Sequence, residues 1–155
     1  MRKIKQSYLT TLILSAGIAN LMVAGLHIGM IFSAASWYRF LGAPQTLVQL
    51  VQQHQLTLVA LFMLPIAAGF AISGCYALSA IGLIRRLPGL SLILLLITLV
   101  YCLRGSVVLL WPFPHWVKAL FGVVPAWQDW LFSWLWLLVG IVYGLAWRAT
   151  LKKPG

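Results

Sequence analysis

Four apolar runs, at about 8–32, 56–83, 90–111 and 129–147, leave this chain of 155 residues few choices of fold. About 20 mostly apolar residues suffice to cross roughly 30 Å of hydrocarbon, and each run is near that length. In hydrocarbon every backbone N–H and C=O needs a partner within the chain, so the runs are predicted to be helices. Composition agrees, with 63% of residues hydrophobic and 8% charged and a mean hydropathy of +0.99. No water-soluble domain of this size has that balance, and no connecting loop is long enough to bury a core of its own. The predicted fold is all-α: an integral membrane four-helix antiparallel bundle, one domain, with outer loops at 33–55 and 112–128.

Charge sets the orientation. Eleven Lys and Arg face a single acid, Asp129, giving a net charge of +10. The basic residues are scattered in short patches between apolar runs, which points to anionic membrane headgroups as their partner and away from nucleic acid. Arg2, Lys3 and Lys5 precede the first run, Arg85 and Arg86 separate the second from the third, and Arg148, Lys152 and Lys153 follow the fourth. The other two loops hold only Arg39 and Lys118. By the positive-inside rule, both termini and the IRRLPG turn are cytoplasmic. Trp37, Trp111, Trp116, Trp127 and Trp130 then form an aromatic belt at the opposite boundary. MRKIK followed by apolar residues, with SAA at 33–35, has the outline of a secretory signal, but a signal h-region has only about 7 to 15 residues. An uncleaved first span is expected.

The connections differ in character. In IRRLPG, Pro88 and Gly89 are expected to stop one helix and start the next, making spans two and three antiparallel neighbours. PQTLVQLVQQHQ sets Leu47, Val48, Leu50 and Val51 against Gln45, Gln49, Gln52 and Gln53, the pattern of a short amphipathic turn or two. It either lies at the interface or extends span two outward. WPFPHW cannot be helical, because Pro112 and Pro114 each remove a donor and restrict the preceding residue, and VKALFGVV after it is expected to dip into the interface. In span one, Gly17, Asn20, Ala24 and His27 share a face, and Gly25 and Gly29 form a GxxxG pair beside it. Span two has Ala67, Ala71 and Gly74 near Pro65. Such stripes are expected to be helix-packing faces, the alternative being a transport path along them. Cys75 and Cys102 differ in depth by about 15 Å at 1.5 Å per residue, too far for a disulfide, which needs Cα atoms within about 7 Å. No CxxC is present, so thiol redox chemistry is not expected.

One residue breaks the apolar pattern. Arg104 lies inside LITLVYCLRGSVVLLW, where a charge costs about 2.5 to 3.5 kcal/mol at the bilayer centre unless partners offset it. It lies about 10 Å inside the outer end of its span, while His27 lies about 8 Å inside the end of span one. Asp129 opens span four at the same boundary, and Asn20 and Tyr101 sit one or two turns deeper. The expected site is a polar cluster of Arg104, Tyr101, His27, Asn20 and Asp129 in the outer leaflet, either locking helix order or holding a ligand. An arginine favours an anion, a quinone carbonyl or a lipid phosphate. His27 with His54 is the only histidine pair at comparable depth for a b-type haem, and zinc would need His27, His54 and His115 with Asp129. Neither set has supporting spacing, so no cofactor or metal is expected. No membrane carboxylate suggests proton coupling, and no nucleophile and base suggest an enzyme.

GLHIG at 25–29, WYRFLGAP at 37–44, YALSAIGLIRRLP at 76–88 and YCLRG at 101–105, in this order, resemble a group of small four-span bacterial inner-membrane proteins of unassigned activity. The likeness covers most of the chain. It implies a four-helix protein in the inner membrane of a bacterium with an outer membrane, and it implies no reaction. The leading expectation is a non-enzymatic accessory or interaction protein, with membrane lipids, another membrane protein or a second copy of this chain as partners. The alternative is a small transporter or sensor for an anionic, lipid or quinone-like ligand at Arg104. A haem-binding oxidoreductase subunit is the third reading.

Overall fold

The computed structural model describes residues 2–106, 109 and 127–151. Six helices lie among them: α1 (Arg2–Met30), α2 (Ala35–Phe40), α3 (Gln45–Gln52), α4 (Leu56–Ala80), α5 (Leu90–Ser106) and α6 (Trp127–Leu151). Three segments are long and apolar enough to cross a membrane: Ser7–Met30, Leu56–Ala80 and Trp127–Leu151. α5 is apolar but has 17 residues, about 26 Å of helix. Of its predicted continuation to 111 only Leu109 is described. WPFPHW, VKALFGVV, His115, Lys118, Trp111 and Trp116 lie outside the described residues.

The polarity of the surface is that of a membrane protein. Leu61 is 67% exposed and Leu103 75%, while Asn20, Ser73, Ser79 and Ser133 are buried. Water would penalise that arrangement, whereas lipid tails solvate leucine as well as a core does and leave polar side chains to seek one another. The fold is therefore all-α and membrane-embedded.

The described residues divide into two compact units, Met1–Ala16 with Tyr76–Gly155, and Gly17–Cys75. In the first unit the dominant feature is the approach of α5 to α6. A Cβ built on Gly105 would lie 2.5 Å from the Leu137 nitrogen, and one on Gly140 would lie 2.8 Å from Cys102 Sγ. One on Gly144 would lie 3.3 Å from Thr98 Cγ2. As numbering rises along α5 it falls along α6, so the pair is antiparallel, and only glycine permits backbones this close. Leu94, Ile97 and Tyr101 of α5 join Tyr143 and Ala146 of α6 in one buried cluster, which Ile13 of α1 and Ala77 of α4 complete. The narrow gap beside Ile13, Ala77 and Tyr143 has no room for a water molecule.

The second unit has its own core, made of Ile31, Tyr38, Val48, Val59 and Met63. The segment read as an outer loop is thus a folded cap. Tyr38 is fully buried, and its Oη donates to the Met30 carbonyl at 2.6 Å, a second donor to an oxygen that also accepts the Ser33 N–H at 2.9 Å where α1 ends. α3 is separate from α4 because His54 takes φ 56°, which lets Gln55 N donate back to Leu50 O at 3.0 Å. The Gly17, Asn20 and Ala24 face of α1 is buried. A Cβ on Gly74 of α4 would meet Leu21 Cγ at 2.7 Å and Gly17 O at 2.9 Å.

Two local expectations need correction. The second run stops at Ala80, short of the predicted 83, because Gly82 at φ 79° ends α4 with its N–H on Ser79 O and the Leu83 N–H on Leu78 O. Pro88 and Gly89 only start α5. The Gly25–Gly29 pair is no packing face within the described residues, for a Cβ at either position would meet nothing within 4 Å. The GxxxG that packs is Gly140–Gly144.

Candidate functional site: the Arg104 end of the α5–α6 pair

Arg104 lies in the last turn of α5 and Asp129 in the first turn of α6. Each charge sits at the helix end whose dipole favours it, a cation at a C-terminus and an anion at an N-terminus. Gly105, the neighbour of Arg104, touches Leu137, so the helices are nearly at contact where the guanidinium leaves the backbone. The close approach brings Ser133, 1% exposed, within reach, and Arg104 Nη1 donates to its Oγ at 3.1 Å. Nη2 lies 4.0 Å from Asp129 Oδ1. Charge-assisted hydrogen bonds run at about 2.7 to 2.9 Å, so the carboxylate attracts the guanidinium without gripping it.

Exposure fits that loose hold. The Arg104 and Asp129 side chains are 44% and 46% exposed. A guanidinium has five N–H donors, and among the described residues one of them, on Nη1, has a hydrogen bond. Among the described residues, the geometry thus leaves this cation with one hydrogen bond and a long ion pair at one end of two packed apolar helices.

Tyr101, one turn back on α5, is buried, with its ring 4.9 Å from that of Trp136 and 5.6 Å from that of Tyr143. It packs the pair that carries Arg104. Asn20 and His27 belong to the other unit. There Asn20 is 4% exposed, and His27 Nδ1 donates to Val23 O at 2.8 Å while its ring lies 5.1 Å from Phe70. His54 is exposed and serves as the left-handed residue that ends α3. Among the described residues no three of His, Cys, Asp and Glu come together. The fourth member of the zinc set, His115, lies outside them. Cys75 and Cys102 are free thiols.

The sequence reading missed Ser133. Its one signal was position: four residues after Asp129, it shares a face of α6 with the only acid. Against models of protein families, curated proteins and solved structures, the chain matches none.

Proposed function

We propose that this is a four-span inner-membrane protein with cytoplasmic termini. Its role is non-enzymatic: an accessory protein that recognises an anionic group, carried by another membrane protein or a lipid, through Arg104 in the outer leaflet. The observation that carries this reading is the guanidinium itself, 44% exposed and, among the described residues, with one hydrogen bond and an ion pair stretched to 4.0 Å. A cation kept only to lock two helices would be expected to close on its carboxylate, since hydrocarbon penalises every unmet donor. The fourth crossing is supported by α5, whose about 26 Å of helix nearly spans the hydrocarbon and runs antiparallel to α6.

The same spare donors favour a second reading, a sensor or transporter for a small anionic or quinone-like ligand, and one experiment separates the two. A photo-crosslinking amino acid replaces Leu103, the exposed neighbour of Arg104, and irradiation in cells captures what stands beside the guanidinium. A discrete protein or lipid adduct is expected, with a yield that falls about tenfold in Arg104→Gln, the equivalent of about 1.4 kcal/mol, at equal amounts of inserted protein. An adduct of small-molecule mass moves the conclusion to the second reading. A pattern of adducts unaffected by Arg104→Gln defeats both.

A further inference from the structure

We infer that the α4–α5 connection is a seat for an anionic phospholipid headgroup, with Arg85 and Arg86 as its phosphate donors and Ser79 and Tyr76 as the residues that hold it in shape. The connection from 81 to 89 is fixed from beneath by side chains of α4. Ser79, 5% exposed, accepts the Leu87 N–H at 2.9 Å and donates to the Arg85 carbonyl at 3.3 Å. Tyr76 Oη donates to the Pro88 carbonyl at 2.8 Å. The backbone is therefore tied at 85, 87 and 88, on both sides of Arg86, while both arginine side chains are exposed.

Charge says what belongs there. Arg148, also exposed, ends α6 in the same unit, and Leu9, Ile81, Leu90 and Trp147 pack on one cluster, so the ends of α1, α4, α5 and α6 meet at this rim. In the sequence, Arg2, Lys3 and Lys5 precede the first apolar run and Lys152 and Lys153 follow the last, so with Arg85, Arg86 and Arg148 eight of the eleven basic residues lie on one side of the runs by order along the chain. The only acid, Asp129, stands at the far end of α6, 19 residues from Arg148 or about 28 Å of helix. No acidic side chain stands at this rim among the described residues, so the neutralising charge is proposed to come from outside. The rim caps apolar helices, where phospholipid phosphates lie at highest concentration, and fork-shaped guanidinium groups match phosphate oxygens in pairs. A lipid headgroup, rather than free phosphate, is the occupant.

The test uses the full chain in detergent micelles containing phosphatidylcholine and phosphatidylglycerol, with retained lipids counted by native mass spectrometry. Wild type is expected to retain phosphatidylglycerol over phosphatidylcholine by on the order of tenfold, with no loss when inorganic phosphate is added. Removing both arginines could invert insertion, so the informative variants keep the charge. Ser79→Ala, which removes both hydrogen bonds of this side chain to the turn, is expected to lower the preference about threefold, and Arg85→Lys with Arg86→Lys to lower it similarly, while Arg39→Gln in the other unit changes nothing. A preference equal to wild type in both charge-keeping variants overturns the held seat and leaves net charge alone. Displacement of the lipid by inorganic phosphate overturns the headgroup as its ligand.

Discussion

The chain contains two GxxxG pairs, and they meet opposite fates. Gly140 and Gly144 lie against Cys102 and Thr98, whereas Gly25 and Gly29 face open space. Spacing is the same, so spacing does not make the contact. What differs is the facing helix: α5 offers Thr98, Cys102 and Gly105, three small residues in register, and so admits the α6 backbone along about two turns. In lipid, where apolar burial gains little, only such close fit favours one helix neighbour over acyl chains.

The sharpest way to break this contrast is Gly140→Leu. Its side chain would overlap Cys102, whose Sγ and N already stand 2.8 and 2.9 Å from a Cβ at this position. A loss of about 3 kcal/mol is expected from overpacking, read as the midpoint of denaturant unfolding in detergent. A Gly140→Leu protein as stable as wild type would mean that α5 and α6 do not touch as described.

Tyr38→Phe comes next and probes the cap, whose core is tied to the end of α1 by this hydroxyl. Removing one of the two donors to the Met30 carbonyl, with the Ser33 N–H remaining, should cost about 1 kcal/mol. Burial also pushes the Tyr38 phenol above its ordinary pKa of 10.0. The folded state then holds this proton more tightly than the unfolded state does, so the contribution is complete below pH 10.0 and is lost as pH rises through the folded value. Alkaline unfolding followed for both proteins should show a decline above pH 10 in wild type that is weaker in Tyr38→Phe. Parallel curves would remove the cap's hydroxyl from the account.

The smallest effect belongs to Gly25→Leu with Gly29→Leu. With nothing within 4 Å of either position, stability should stay within about 0.5 kcal/mol of wild type. A larger loss, accompanied by a change in mass on size-exclusion chromatography with light scattering, would show this open pair packing against a second copy.

Particular residues show what could be read in advance. The buried face of Gly17, Asn20 and Ala24 was visible in the three- and four-residue spacing of α1. Arg104 and Asp129 stood out because a charge in an apolar run is conspicuous anywhere. Ser133, which holds the guanidinium, did not, since a serine in a membrane helix acquires meaning only from what lies opposite. Tyr38 was hidden in the same way. WYRFLG reads as an interfacial loop, and that one of its aromatic rings turns inward to close α1 depends on Val48, Val59 and Met63 being there to receive it.

The amino-acid order by itself determined the solvent, the helical class and the grouping of positive charge at helix ends, because hydrocarbon dictates backbone pairing and charge placement over any stretch of 20 residues without reference to the rest of the chain. Tertiary structure alone decided which glycines touch, where the cap closes and how loosely the guanidinium is held. Those depend on distances between residues far apart in sequence, and a local pattern carries no information about a neighbour it has not yet met.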